Sequence, residues 1–238
     1  MNTPSAPHPL GEAFVADFAA LAARVPAAIG IAIAAPRHSS AHALGPWSAG
    51  VAWSTIKVPV AIAALRADRR RAEPLAIKAI TESDNPASEE LWALLGEPAK
   101  AARAVQSVIT AAGDSLTVVE SQRVRPGFTA FGQTVWPLDR QAIFAANLGA
   151  VPEAAPVIDL MLNLIPEHRW ALAAKGFAAK GGWGPDAGDG YLVRQWGIVP
   201  DGPTGLGVAL AARADTFEAG IAVLDAMTEC LCAHLRGD

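Results

Sequence analysis

The last third of the chain sets the tightest limit on its fold. "FAAKGGWG", "GYLVRQWGIVP" and "GLGVALAARA" are short, largely apolar runs separated by "PDAGDG" and "PDGPT". Runs of this length bounded by Gly, Pro and Asp read as strands joined by turns, and three in succession form a meander. "TFEAGIAVLDAMTECLCAHL" follows at once with helical spacing. Near the N-terminus, "AAIGIAIAAP" suits one more buried strand, and it is preceded by the helix-like "GEAFVADFAALAARV". The expected core is therefore one antiparallel sheet of strands at 26–35, 175–183, 190–199 and 205–213. The first and last helices should cover one of its faces.

Between these ends the pattern is helical. Helices are expected from Ser54 to about Arg70, over "EPLAIKAITES", "PASEELWALLG" and "PAKAARAVQSVITAAG", and again over "PLDRQAIFAANLGA" and "AAPVIDLMLNLIPEHRWAL". "RHSSAHALGPWSAGV" is loop or second-strand material. Residues 114–137, rich in Gly, Pro and aromatics, lack a clear period, and a loop that long is usually functional. The whole is an α+β pattern in a single domain, 1–238. A helical lobe is expected over about 54–175, and an α/β lobe from about 11–53 and 176–238.

Bulk chemistry excludes several classes. With net charge −4 and no basic run beyond "RADRRRA", a solvated helix end, nucleic-acid binding has no support. "VPAAIGIAIAAP" is too short to span a bilayer. No basic segment leading into an apolar one opens the chain, so as given it reads as cytoplasmic and without an export signal. Cys230 and Cys232 make neither a disulfide framework nor a zinc site and are expected as small buried side chains. No metal or organic cofactor is implied.

Three short motifs carry the chemistry. "STIK" sets Ser54 and Lys57 at i and i+3, on one helix face. A lysine in a dry site loses basicity and acts as base towards a serine, whose backbone N–H faces a developing oxyanion. "SDN" offers Ser83 as a proton relay and the Asn85 amide for a substrate carbonyl. Asp84 or Asn85 capping the next helix is the plainer reading, and it leaves Ser83 without a task. "KGG", Lys180 to Gly182, lets a substrate backbone lie along a strand edge. Taken singly, each also fits an ordinary surface pair, cap or turn.

In this order the motifs resemble those of the class A β-lactamases and penicillin-binding proteins, S-x-x-K, S-D-N and K-T-G. "PLAIKAITESDNPASEELWALLG" and "TVWPLDRQAIFAANL" extend the resemblance, which runs from about Phe14 to the end. It implies a β-lactamase/transpeptidase-like fold with a reduced all-helical lobe, because Ser54 and Ser83 are closer in sequence than the family's motifs. It also implies a serine hydrolase with an acyl-enzyme on Ser54, acting on an amide or ester such as a β-lactam or peptidoglycan-like peptide. In these terms Lys57 is the base, Ser83 the relay and Lys180 an electrostatic partner. Asn85, Gly182 and Trp183 bind substrate, and the backbone N–H groups of Ser54 and Trp183 form the oxyanion hole. The family usually works outside the cytoplasm, which conflicts with the missing export signal.

The chain departs from this pattern in three places. The family's loop glutamate, base for hydrolysis of the acyl-enzyme, aligns with Arg123, and Glu120 is the only glutamate in the loop and the possible base. Gly181 replaces a Thr or Ser that contacts the substrate carboxylate. Asp189 stands for a basic residue with the same task, and Arg194 is a nearby substitute. Acylation is thus expected, with slow turnover of β-lactams. A penicillin-binding DD-peptidase or acylation trap is the alternative, and a silent relative that binds a ligand or partner is a third.

Overall fold

The computed structural model describes residues 9–186, 190–201 and 205–235. Five strands form one antiparallel sheet: β1 (Ala28–Ala34), β2 (His42–Leu44), β3 (Ala178–Pro185), β4 (Tyr191–Val199) and β5 (Leu206–Ala214), in the order β2-β1-β5-β4-β3. The four expected strands are present within a few residues, and His42–Leu44 adds the fifth. Asp189 falls outside the described residues, as does part of each expected turn.

The period of two divides the sheet's residues between two helical layers. Arg194 and Trp196 of β4, with Ala209 and Ala211 opposite them on β5, face α6 (Leu138–Asn147). Val193 and Gln195, with Ala212 and Leu210, face the other way, where Val193 packs beneath Gly220 of α8 (Phe217–Cys232). Small residues along β5 let α6 lie close. Trp136, Phe144 and Trp196 then fill the space between with edge-to-face contacts, centroids 5.2–6.4 Å apart, the geometry aromatic quadrupoles favour. α1 (Gly11–Ala22) buries Phe14, Phe18 and Leu21 and packs on α8, where Asp17 pairs with His234 at 2.8 Å. The first and last helices therefore share one face and α6 covers the other. α6 lies with the sheet, although its segment falls inside the stretch read as the helical lobe.

The other helices gather round α2 (Lys57–Ala67), in which every residue from Lys57 to Leu65 is buried. A helix apolar on all sides needs neighbours on all sides. α3 (Arg69–Thr81), α4 (Asn85–Leu94), α5 (Pro98–Ala111) and α7 (Ala154–Leu162) supply them. Pro59, third in α2, costs no internal bond so near the N-terminus. Two boundaries differ from expectation. α3 begins at Arg69, because Asp68 caps it by accepting from the Arg71 backbone N–H at 3.2 Å, and the three arginines sit exposed in its first turn. The helix expected over 154–172 stops at Leu162. Pro166 cannot donate to a continuing helix, so short 3₁₀ turns at Pro166–His168 and Ala171–Lys175 follow instead.

The long loop 114–137 is pinned at both ends. Buried Asp114 accepts from the backbone N–H groups of Leu116 and Thr117 and from the Trp136 indole at 2.9 Å, and Val135 bridges to Val51. Cys230 and Cys232 are free thiols on α8 and half-buried rather than buried.

Candidate active site

Ser54 is the second residue of a 3₁₀ turn, Trp53–Ile56, that feeds into α2 at Lys57. The turn is held by its neighbours. Thr55 donates to the Ala52 carbonyl at 2.6 Å and accepts from Gln141 of α6 at 2.8 Å, while the Trp196 indole donates to the Thr55 carbonyl at 3.3 Å. Trp53 adopts a left-handed φ of 50°, as Ser83 does at 55°. Side chains other than glycine pay on the order of 1 kcal/mol for that conformation, which persists where packing over-determines it.

Lys57 turns inward and is 2% exposed. Its Nζ donates to the Ser83 carbonyl and, at 2.7 Å, to Asn85 Oδ1, with Ser83 Oγ at 3.5 Å. Among the described residues Lys57 makes no hydrogen bond to Ser54, although both line one cleft. The i, i+3 spacing aligns them, but Ser83 and Asn85 take the ammonium's donors. Burial lowers the Lys57 pKa to about 7, against a weaker opposing pull from Asp84. Asp84 is at the same time the cap of α4, accepting from the Ala87 backbone N–H at 2.6 Å.

Lys180 arrives from β3 and donates to Ser83 Oγ at 2.9 Å and to the Gly181 carbonyl at 3.0 Å. It too is 2% exposed, and burial, followed by the charge of Lys57, holds it well below the ordinary lysine range. Two buried amines thus converge on one serine, an arrangement in which both cannot stay charged cheaply.

The glycines of β3 are set by contact. A Cβ on Gly182 would lie 2.7 Å from the Ser54 backbone nitrogen, so the strand passes directly against the serine's turn. A Cβ on Gly181, pointing to the opposite face, would meet the Trp170 ring at 2.5 Å. The space beside Gly181 is therefore filled by an indole.

A cleft of about 390 Å³ opens between β3, the 3₁₀ turn, α4 and the long loop. Ser54, Lys57, Ser83, Asn85 and Trp183 all line it. Gly182 and Lys180 stand behind that lining. Phe128 from the loop stacks edge-on against Trp53 at 5.1 Å, and Arg125 ties the loop to the end of β3 by donating to the Pro185 carbonyl at 2.8 Å.

Two sequence expectations fail here. Glu120 does not reach the cleft, because its carboxylate accepts from the Gln122 backbone N–H at 2.7 Å while its own N–H is bound to Thr134. Arg194 is no carboxylate ligand, because it is fully buried on the α6 face. There it donates to the carbonyls of Gly50, Val51 and Trp136 and to Gln141 Oε1, and burial lowers its pKa to about 9. The cleft's acid is a residue the motif reading passed over. Glu89 lies four positions after Asn85, on the same face of α4, and Arg123 binds it at 2.7 Å inside the cleft. The i, i+4 spacing from Asn85 was the available signal. Among the described residues no group of three or more His, Cys, Asp or Glu is placed to hold a metal ion, and no single helix is long and apolar enough to cross a membrane.

Solved structures that superpose on this chain include β-lactamases, several of them class A. The TLA-3 extended-spectrum β-lactamase matches with a TM-score of 0.73 over 92% of this chain and 97% of that one, at 10% identity. A β-lactamase from Chitinophaga pinensis DSM 2588 matches at 0.72 over 92% and 98%, with 15% identity. One from Sphaerobacter thermophilus DSM 20745 matches at 0.67 over 92% and 95%, with 19% identity. No protein-family model and no curated protein matches the sequence. The chain has the β-lactamase-like fold, shared here at an identity where architecture persists and sequence does not.

Proposed function

We propose that the protein is a serine hydrolase that forms an acyl-enzyme on Ser54 with an amide or ester, of β-lactam or peptidoglycan-like type. The observation that carries this is Lys57, a buried amine with its pKa lowered to about 7, opening onto the same cleft as Ser54 and bonded to Ser83. A structural lysine gains nothing from such a place, since burial of an unpaired ammonium is destabilising.

In this reading Ser54 Oγ attacks the substrate carbonyl and gives its proton to neutral Lys57. The tetrahedral oxyanion rests between the backbone N–H groups of Ser54 and Trp183, each contributing about 3 kcal/mol to the transition state. Collapse expels the amine or alcohol, which takes its proton from Ser83 Oγ, and the lysines replenish it. Asn85 orients the substrate's amide, and Lys180 keeps Ser83 polarised. The experiment is stopped-flow mixing with an activated phenyl ester and with a penicillin. A burst or steady turnover with either reagent, lost in Ser54→Ala, supports the proposal, and a protein that reacts with neither sinks it.

The second reading, a penicillin-binding protein that traps its acyl group, draws on one observation. The base expected of the loop, Glu120, is outside the cleft, and the cation Arg123 is inside it.

A further inference from the structure

Resting on that acyl-enzyme reading, one step still has no group assigned to it, the attack of water on acyl-Ser54. Hydrolysis needs a base held near the ester with room for one water between them. Among the described residues that line the cleft, Glu89 is the one carboxylate. It stands one helical turn beyond Asn85, with about 5–6 Å between such Cβ atoms, and Asn85 Oδ1 holds Lys57 Nζ at 2.7 Å. Glu89 and Ser54 line the same cleft, which has room for a water between them. Arg123 Nη2 donates to Glu89 Oε1 at 2.7 Å and its Nη1 to the Phe128 carbonyl at 3.2 Å, which fixes the carboxylate's direction. Within the described residues Oε2 makes no hydrogen bond and is left for a ligand. The side chain is 33% exposed, so water reaches it.

We propose that Glu89 is the general base that activates the water hydrolysing acyl-Ser54. The water gives one proton to the Glu89 carboxylate as its oxygen bonds to the acyl carbon, and the carbonyl electrons move to the oxygen held by the Ser54 and Trp183 N–H groups. The intermediate collapses with cleavage of the bond to Ser54 Oγ, which takes the proton back from Glu89. A carboxylic acid leaves and the enzyme is restored, with water the sole co-reactant. The base comes from α4, and the long loop contributes the cation that holds it. Turnover therefore does not depend on a loop glutamate, which revises the expectation of a persistent acyl-enzyme.

The test compares the full-length protein with its Glu89→Gln and Glu120→Gln variants, using the same ester and penicillin, and follows both the acylation burst and the steady state. Glu89→Gln should keep the burst and the acylation rate, which also reports that it has folded. Its steady-state rate should fall about 10²–10⁴-fold, the usual worth of a positioned base, with the acyl-protein accumulating by intact mass. Glu120→Gln should turn over as the wild type does. A wild-type burst with no turnover, wild-type turnover by Glu89→Gln, or stalling of Glu120→Gln would each overturn this inference alone. A wild type that shows neither burst nor turnover with either reagent would overturn the acyl-enzyme reading and this inference with it.

Discussion

Lys57 has no ion-pair partner within 4 Å among the described residues, and its donors go to a carbonyl and an amide oxygen. Neither partner carries a full negative charge, and the pull of Asp84 only partly offsets the loss of water around the ammonium, so the proton is held weakly. A pH dependence follows with a definite sign. Lysine is a base only when neutral, so acylation should lose about tenfold per pH unit below the Lys57 pKa of about 7 and level off above it. The charge of Lys180 acts on the same equilibrium, so the apparent value belongs to the pair. Pre-steady-state acylation rates between pH 5 and 9 check this. A limb near pH 7 agrees, whereas a rate still climbing tenfold per unit at pH 9 would mean a lysine of ordinary basicity. At this scale the sequence showed which residues meet, but not how. The i, i+3 spacing set Ser54 and Lys57 on one face, yet the hydrogen bonds of both buried amines go to Ser83 and its neighbours.

At the scale of elements, the site depends on how closely β3 passes the turn bearing Ser54. Both oxyanion donors of the proposed reaction lie on these two segments, so their separation has to hold to a fraction of an ångström. Gly182→Ala puts a methyl 2.7 Å from the Ser54 nitrogen and 2.9 Å from the Ala52 carbonyl, where backbone and not a movable side chain must yield. The acylation rate should fall by about 10²-fold or more, the cost of misplacing one such donor. Gly149→Ala, with nothing within 4 Å of the added carbon, should leave it unchanged. Equal effects of the two would separate β3 from catalysis. The strands themselves were legible, because Gly, Pro and Asp punctuate them and their apolar content is dense. The break in the helix after Leu162 was marked by Pro166, and periodicity alone ran through it.

Across the whole molecule, the cleft exists because four separate stretches of chain meet there: the turn before α2, the start of α4, the long loop, and β3. The order of the three motifs was readable without coordinates, and so was the antiparallel sheet with terminal helices on one face. Which side chains of the long loop enter the cleft was not. Arg123 and Glu120 differ by three positions, and only tertiary anchoring by Asp114, Thr134 and Trp136 decides that the first points in and the second out. Arg194 was misread for a related reason, since its strand register aims it at α6 and the carbonyls beneath the sheet. The central proposal is that Ser54 is the nucleophile of this cleft, with Lys57 as its base. Incubation with excess penicillin and with excess activated ester, quenched in acid while reagent remains, followed by intact-mass analysis and peptide mapping, tests it most directly. The account predicts one acyl adduct per chain, located on Ser54 in "AWSTIKVPV", lost in Ser54→Ala and strongly slowed in Lys57→Met. An unmodified protein, or an adduct carried on another residue, would contradict it.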